Sequence, residues 1–95
     1  MDAYLLYIIL DLRIPQSNSL KSKRKIIKSL KDRIRARFNV SVAEISHLDK
    51  WQRTTIALAM VSGDKVKLVK DQTAIEVLVK EITEVELIDI KMEWL

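Results

Sequence analysis

Cationic side chains dominate one stretch of this 95-residue chain. Nine of its seventeen Lys and Arg residues fall between Lys21 and Arg37: Lys21, Lys23, Arg24, Lys25, Lys28, Lys31, Arg33, Arg35 and Arg37, with Asp32 the one acid among them. That window carries a net +8, while the remaining eight bases and twelve acids carry −4. So one-sided a field suits a polyanion or a membrane surface, because evenly spread bases would serve solubility equally well. The other polar groups of chemical interest cluster at two turns. Ser17 and Ser19 precede the basic stretch, and His47, Asp49, Trp51, Gln52 and Arg53 form the second group. His47 and Asp49 have an H-x-D spacing, but two ligands do not make a metal site. No nucleophile, second base or oxyanion loop accompanies His47 to make it a general base.

Several chemistries lack their residues. There is no GxGxxG, Walker A, HExxH or GxSxG pattern, and the single Gly63 cannot build a phosphate-cradling loop. No cofactor is expected. The absence of cysteine excludes disulfides and thiolate metal sites and fits a cytoplasmic protein. No apolar run approaches the length that spans a bilayer, and no secretory signal opens the chain. A hydrophobic content of 48% is that of an ordinary globular chain, long enough for one domain over residues 1–95.

The elements that must position these groups follow from periodicity. Ala3–Leu12 reads as a strand, with Leu6, Ile8, Leu10 and Leu12 on one face and Leu5, Tyr7 and Ile9 on the other. Apolar residues on both faces predict a central strand. After a turn-rich connection, Ser17 or Ser19 can cap a helix in which Leu20, Ile27, Leu30, Ile34 and Phe38 form one apolar stripe. Lys21, Arg24, Lys25, Lys28, Lys31 and Arg35 share a flanking arc of that helix, so the basic cluster is a surface. Lys23 and Arg37 fall near the core boundary, where their stems can cover apolar neighbours. Asn39–Asp49 and Gln52–Ser62 read as two further strands. Lys65–Ile82 reads as a helix burying Val66, Val69, Ile75, Leu78, Val79 and Ile82. Val85–Leu95 closes the chain as a strand with Ile88, Ile90, Met92 and Trp94 on one face.

The order β-α-β-β-α-β predicts an α+β, ferredoxin-like fold, a four-stranded antiparallel sheet with two helices on one face. Strands one and three then lie in the centre. In this topology the loop Pro15–Ser19, the helix start Leu20–Lys25 and the turn His47–Arg53 meet at one pole. The helix start is electrostatically odd, because its partial positive charge favours acids and it carries Lys21, Lys23, Arg24 and Lys25 instead. A bound anion would relieve this; solvated side chains splaying into water are the alternative. Trp51 either covers the end of the core or stacks on a base or partner, and Arg53 pairs with phosphate or with Asp49. RNA-recognition domains share the fold, but Arg53–Val61 carries none of their aromatic residues. Contact with nucleic acid would therefore use the basic helix and its pole.

The stretch Ile14-Pro15-Gln16-Ser17-Asn18-Ser19-Leu20-Lys21-Ser22-Lys23-Arg24 resembles the "IPxSxSLKxKR" opening of the YlxP-like family, a domain of unknown function. Arg37-Phe38-Asn39-Val40-Ser41-Val42-Ala43-Glu44 is similar as well. Asp49-Lys50-Trp51-Gln52-Arg53 matches the family's "DxWQR", and Val61-Ser62-Gly63-Asp64 its "VSxD". The resemblance implies a small ferredoxin-like protein of bacterial type whose genes often accompany translation and ribosome-maturation genes. It supplies no catalytic residues.

Three functional expectations follow. The first is a non-enzymatic RNA- or ribosome-associated binding protein, contacting its partner through Ser17, Ser19, Lys21, Lys23, Arg24, Lys25, Lys28, Lys31, Arg35, Trp51, Gln52 and Arg53. The second is a homodimeric interaction module using the open sheet face around Leu5, Tyr7 and Ile9. The third is a small phosphate-ester or acyl-phosphate enzyme, as acylphosphatases share the fold, although their glycine-rich loop has no counterpart at Arg13–Ser19. A membrane surface is not expected as partner, since the apolar stripe of the basic helix is needed for the core.

Overall fold

The computed structural model describes residues 2–95. Its elements are β1 (Tyr4–Arg13), α1 (Leu20–Arg37), β2 (Ser41–Ser46), β3 (Arg53–Ser62), α2 (Lys65–Glu81) and β4 (Glu86–Trp94). The sheet is antiparallel in the order β2-β3-β1-β4, so β1 and β3 are central and the ferredoxin-like arrangement is the one observed. Both helices cover one face.

The core follows from the alternation in β1. Leu6, Ile8, Leu10 and Leu12 are fully buried, together with Ile56, Leu58 and Met60 of β3. Ile27, Leu30 and Ile34 of α1 and Leu68, Ile75, Leu78 and Val79 of α2 close over them. Leu5 and Tyr7 project to the opposite, uncovered face, where Val61 and Ala59 are their register partners.

Three expectations need correction. The second strand does not run to Asp49: Ile45 is an extra residue between the pairs Glu44↔Ile56 and Ser46↔Thr55, and His47 adopts a left-handed conformation at φ 60°. That conformation bends the chain out of the ladder, and Lys50 N–H donates to the His47 carbonyl to close the turn. In β4 the pairing shifts from Asp11↔Asp89 to Leu12↔Leu87, which leaves Ile88 as the extra residue. Leu87 packs on the core in its place and Ile88 is exposed.

On α2, Val66 and Val69 are exposed and Leu68 is the buried residue of that turn. Val66, Val69, Thr73 and Val77 line the side of α2 opposite the core, at steps of three and four. Apolar residues therefore surround this helix, and periodicity alone could not select the inward set. Leu68→Ala is expected to cost about 2–5 kcal/mol in urea unfolding. Val66→Lys and Val69→Lys should each stay within about 0.5 kcal/mol of the parent, as solvent-facing positions do.

Candidate nucleic-acid interface

The pole is assembled by backbone and side-chain stitches between the β1–α1 loop and the β2–β3 hairpin. Ser19 is the N-cap of α1, its hydroxyl accepting from Ser22 N–H at 3.0 Å. Ser17 is buried instead. Its hydroxyl donates to the Ser19 carbonyl at 3.1 Å and its N–H to the Ile14 carbonyl at 3.2 Å, which closes the turn. Gln52 joins the two segments: its amide donates to the carbonyls of Pro15 and Ser17, both at 3.1 Å. Its own backbone carbonyl accepts from Ile14 N–H at 2.9 Å.

Lys23 stands apart from the other cations. Its side chain is 1% exposed and its ammonium lies 2.9 Å from Glu44 Oε2 on β2. It also donates to the His47 carbonyl, and Thr54, itself fully buried, donates to the same Glu44 oxygen at 2.6 Å. The expectation that Lys23 meets an external anion is therefore corrected: its charge is answered by the protein's own carboxylate. The helical spacing carried the signal, because Lys23 is four residues before Ile27 and seven before Leu30, on the buried stripe.

Arg53 is likewise engaged within the molecule. One guanidinium nitrogen donates to both oxygens of Asp11, at 3.0 and 3.1 Å. Its carboxylate partner is thus Asp11 rather than Asp49. Asp11 and Arg53 are diagonal neighbours on the uncovered face, a relation that only the strand register reveals. Glu44, His47 and Asp11 were not singled out as partners by sequence, since their roles depend on contacts between distant segments.

The remaining cations form a surface. Lys21, Arg24, Lys25, Lys28, Lys31 and Arg35 occupy an arc of about 120° on α1, taking about 100° per residue. All but the half-buried Lys31 are exposed. Lys28 reaches Asp32 at 2.8 Å across one turn. That hydrogen bond, reinforced by the nearby charges of Lys28, Arg35 and Lys31, holds the Asp32 carboxyl below its ordinary pKa. Arg35 donates to the Val42 carbonyl at 3.1 Å and still exposes its charge. Lys25, Lys28, Ser29, Asp32, Arg33 and Ala36 line a shallow depression on the outer side of α1. Arg33 was missing from the expected contact set, although its spacing from Ser29 and Lys25 places it beside them.

Trp51 is 53% exposed and borders an open depression with Asp49, Lys50, Gln52 and Arg53. It does not cover the core. Trp94 packs against the core instead, beneath the Lys65 ammonium at 4.9 Å from its ring. Among the described residues no three His, Cys, Asp or Glu side chains are grouped to hold a metal ion. No helix among them is long and apolar enough to cross a membrane.

A sequence profile described as "Protein of unknown function (DUF503)" matches residues 5–92. The chain is 35% identical over 81 residues to "Uncharacterized protein YlxP" of Bacillus subtilis (strain 168), covering 85% of this chain and 88% of that protein. Among solved structures it resembles "De novo designed protein Foldit4", with TM-score 0.55, 14% identity and 97% of each chain covered. A hydantoinase/carbamoylase family amidase from Burkholderia ambifaria gives TM-score 0.53 at 6% identity, over 98% of this chain and 28% of the amidase. At such identities these two likenesses concern the fold alone.

Replacing Lys23 by Met strands the Glu44 carboxylate and is expected to cost about 3–5 kcal/mol. The triple variant Lys23→Met/Glu44→Leu/Thr54→Val removes all three polar side chains at once, leaving only the His47 carbonyl of that cluster, and should recover most of that loss. Urea midpoints at unchanged m-value read both effects.

Proposed function

The chain belongs to the DUF503 family of proteins of unknown function, and on that footing we propose that it is a non-enzymatic RNA-binding protein associated with ribosomal particles. The observation that carries this reading is the arc of six cations on α1, of which only Lys28 is paired with a carboxylate of the protein. Phosphates spaced along a nucleic-acid strand meet such a row more readily than a single small anion does. Trp51, exposed at the pole where α1 begins, offers a flat face on which an unpaired base stacks.

The interior arrangement supports a binding role over catalysis. Ser17, Lys23, Glu44, Thr54 and Arg53 are each committed to hydrogen bonds within the protein. Lys23 ties the hairpin to the helix, and the other contacts brace the hairpin, the loop and β1 around it, so that the cations and Trp51 keep one relative placement. Ser17, Gln52, Lys23 and Arg53 therefore position the contact surface. Lys21, Arg24, Lys25, Lys28, Lys31 and Arg35 make the contact, with Arg33 beside them.

Binding of a single-stranded RNA oligonucleotide, followed by fluorescence anisotropy, should weaken with a log–log salt slope of about −4 if six cations engage. The triple variant Lys21→Glu/Arg24→Glu/Lys28→Glu should flatten that slope by at least about 2 and release the protein from co-sedimenting ribosomal particles at low salt. A salt slope near zero in the parent, or no binding at low salt, would refute the reading.

A further inference from the structure

The uncovered face of the sheet presents a second surface that RNA binding does not use. Along β1 it carries Leu5, Tyr7 and Ile9, and along β3 Val61, Ala59 and Ala57. Ser41 and Ala43 of β2 pair with Ala59 and Ala57 and continue it. Tyr7 stands between two depressions. One is bounded by Ile9, Lys91, Met92 and Glu93; the other is a trough floored by Ser41, Ala43, Ala57 and Ala59. A large ring thus stands beside a row of side chains too small to fill the space next to it.

We propose that this face docks a second copy of the chain, with Tyr7 of each copy seated in the alanine trough of the other. The geometry follows from the register. Tyr7 pairs directly with Ala59, so the knob and the trough lie at one height along the strands. A twofold axis parallel to the strands, running between β1 and β3, lays β1 of each copy over β3 of its partner. Tyr7 then meets the partner's Ala57 and Ala59, and the contact occurs twice, as an isologous interface requires.

Charge favours a second copy over a polyanion. The face holds Arg13, Arg53 and Lys91 against Asp11, Glu86, Asp89 and Glu93, so it is close to neutral. The cation row of α1 lies beyond the sheet, on the opposite side. Two molecules of net charge +4 approach with least repulsion through this face. The area of the face approaches what a dimer needs once side-chain relief is added. Four strands about 4.8 Å apart, of ten, six, ten and nine residues at about 3.3 Å each, give a flat footprint of about 550 Å² before side-chain relief is counted. A stable interface takes about 800 Å² of accessible surface from each partner.

Light scattering after size exclusion tests this directly. The parent should show twice the 11.0 kDa chain mass, and Ala59→Arg should return it to one chain while circular dichroism stays unchanged. Val69→Lys, on the outward stripe of α2, should leave the doubled mass intact. The chain has no cysteine, which permits a second reading that does not depend on Ala59→Arg folding. Mixed Tyr7→Cys and Ala59→Cys chains should be bridged between copies by a short bis-maleimide, and Val69→Cys chains should not. A parent that stays at one chain mass near about 1 mM, the weak end of association, would overturn the proposal. So would a doubled mass that survives Ala59→Arg or is lost on Val69→Lys. RNA affinity of the monomeric variant is a separate readout, so failure here leaves the α1 surface to be judged by its own salt dependence.

Discussion

The buried ammonium of Lys23 is the constraint around which this protein is arranged. A lysine removed from water needs a counter-charge and hydrogen-bond acceptors, or it costs more than the fold can spare. Glu44 and the His47 carbonyl supply them, and both belong to the β2–β3 hairpin. Satisfying Lys23 therefore docks that hairpin against the first turns of α1. Thr54 holds the carboxylate in place, and the left-handed turn at His47 aims its carbonyl inward. Gln52 and Ser17 then complete the seam with hydrogen bonds to the preceding loop. The exposed features of the pole, Trp51 and the start of the cation row, take their positions from these interior contacts.

This arrangement also addresses the electrostatic oddity of α1. The first turn of the helix holds no acid, although its unpaired N–H groups favour one. The answering carboxylate comes from a neighbouring strand, and it neutralises a base that points inward. The outward bases are left with little internal compensation. Charge is thus divided by direction: neutral beneath the helix, strongly positive above it, and near balance on the far side of the sheet, where Arg53 is paired with Asp11. The cation row of α1 and the apolar side chains of the uncovered face thus lie on opposite sides of one sheet.

Most of the architecture was legible in the sequence because its signals were strongly periodic. The alternation of Leu6, Ile8, Leu10 and Leu12 and the stripe Ile27, Leu30, Ile34 both emerged as read. The helix cap was narrowed by position to Ser17 or Ser19, and Ser19 is the one that caps. What failed had physical causes. Val66, Val69 and Leu68 are all apolar, so α2 offered no contrast from which to choose its buried side. Helical phase placed Lys23 near the core boundary and off the outward arc, yet it stayed among the contact residues because its partners Glu44 and His47 lie on a distant hairpin. The partner of Arg53 could not be foreseen, since Asp11 reaches it only once the register of β1 on β3 is known.

The two irregular residues of the sheet, Ile45 and Ile88, sit on its two outermost strands and at the same level, beside the paired row Thr55, Asp11 and Asp89. An outer strand ordinarily offers an unused ladder of N–H and C=O groups to any extended chain that drifts alongside. A bulge breaks the even spacing such a ladder needs and twists the strand away from flatness. On β2 the Val42 carbonyl is already occupied by Arg35. Both margins of the sheet are therefore poor templates for lateral growth into fibrils.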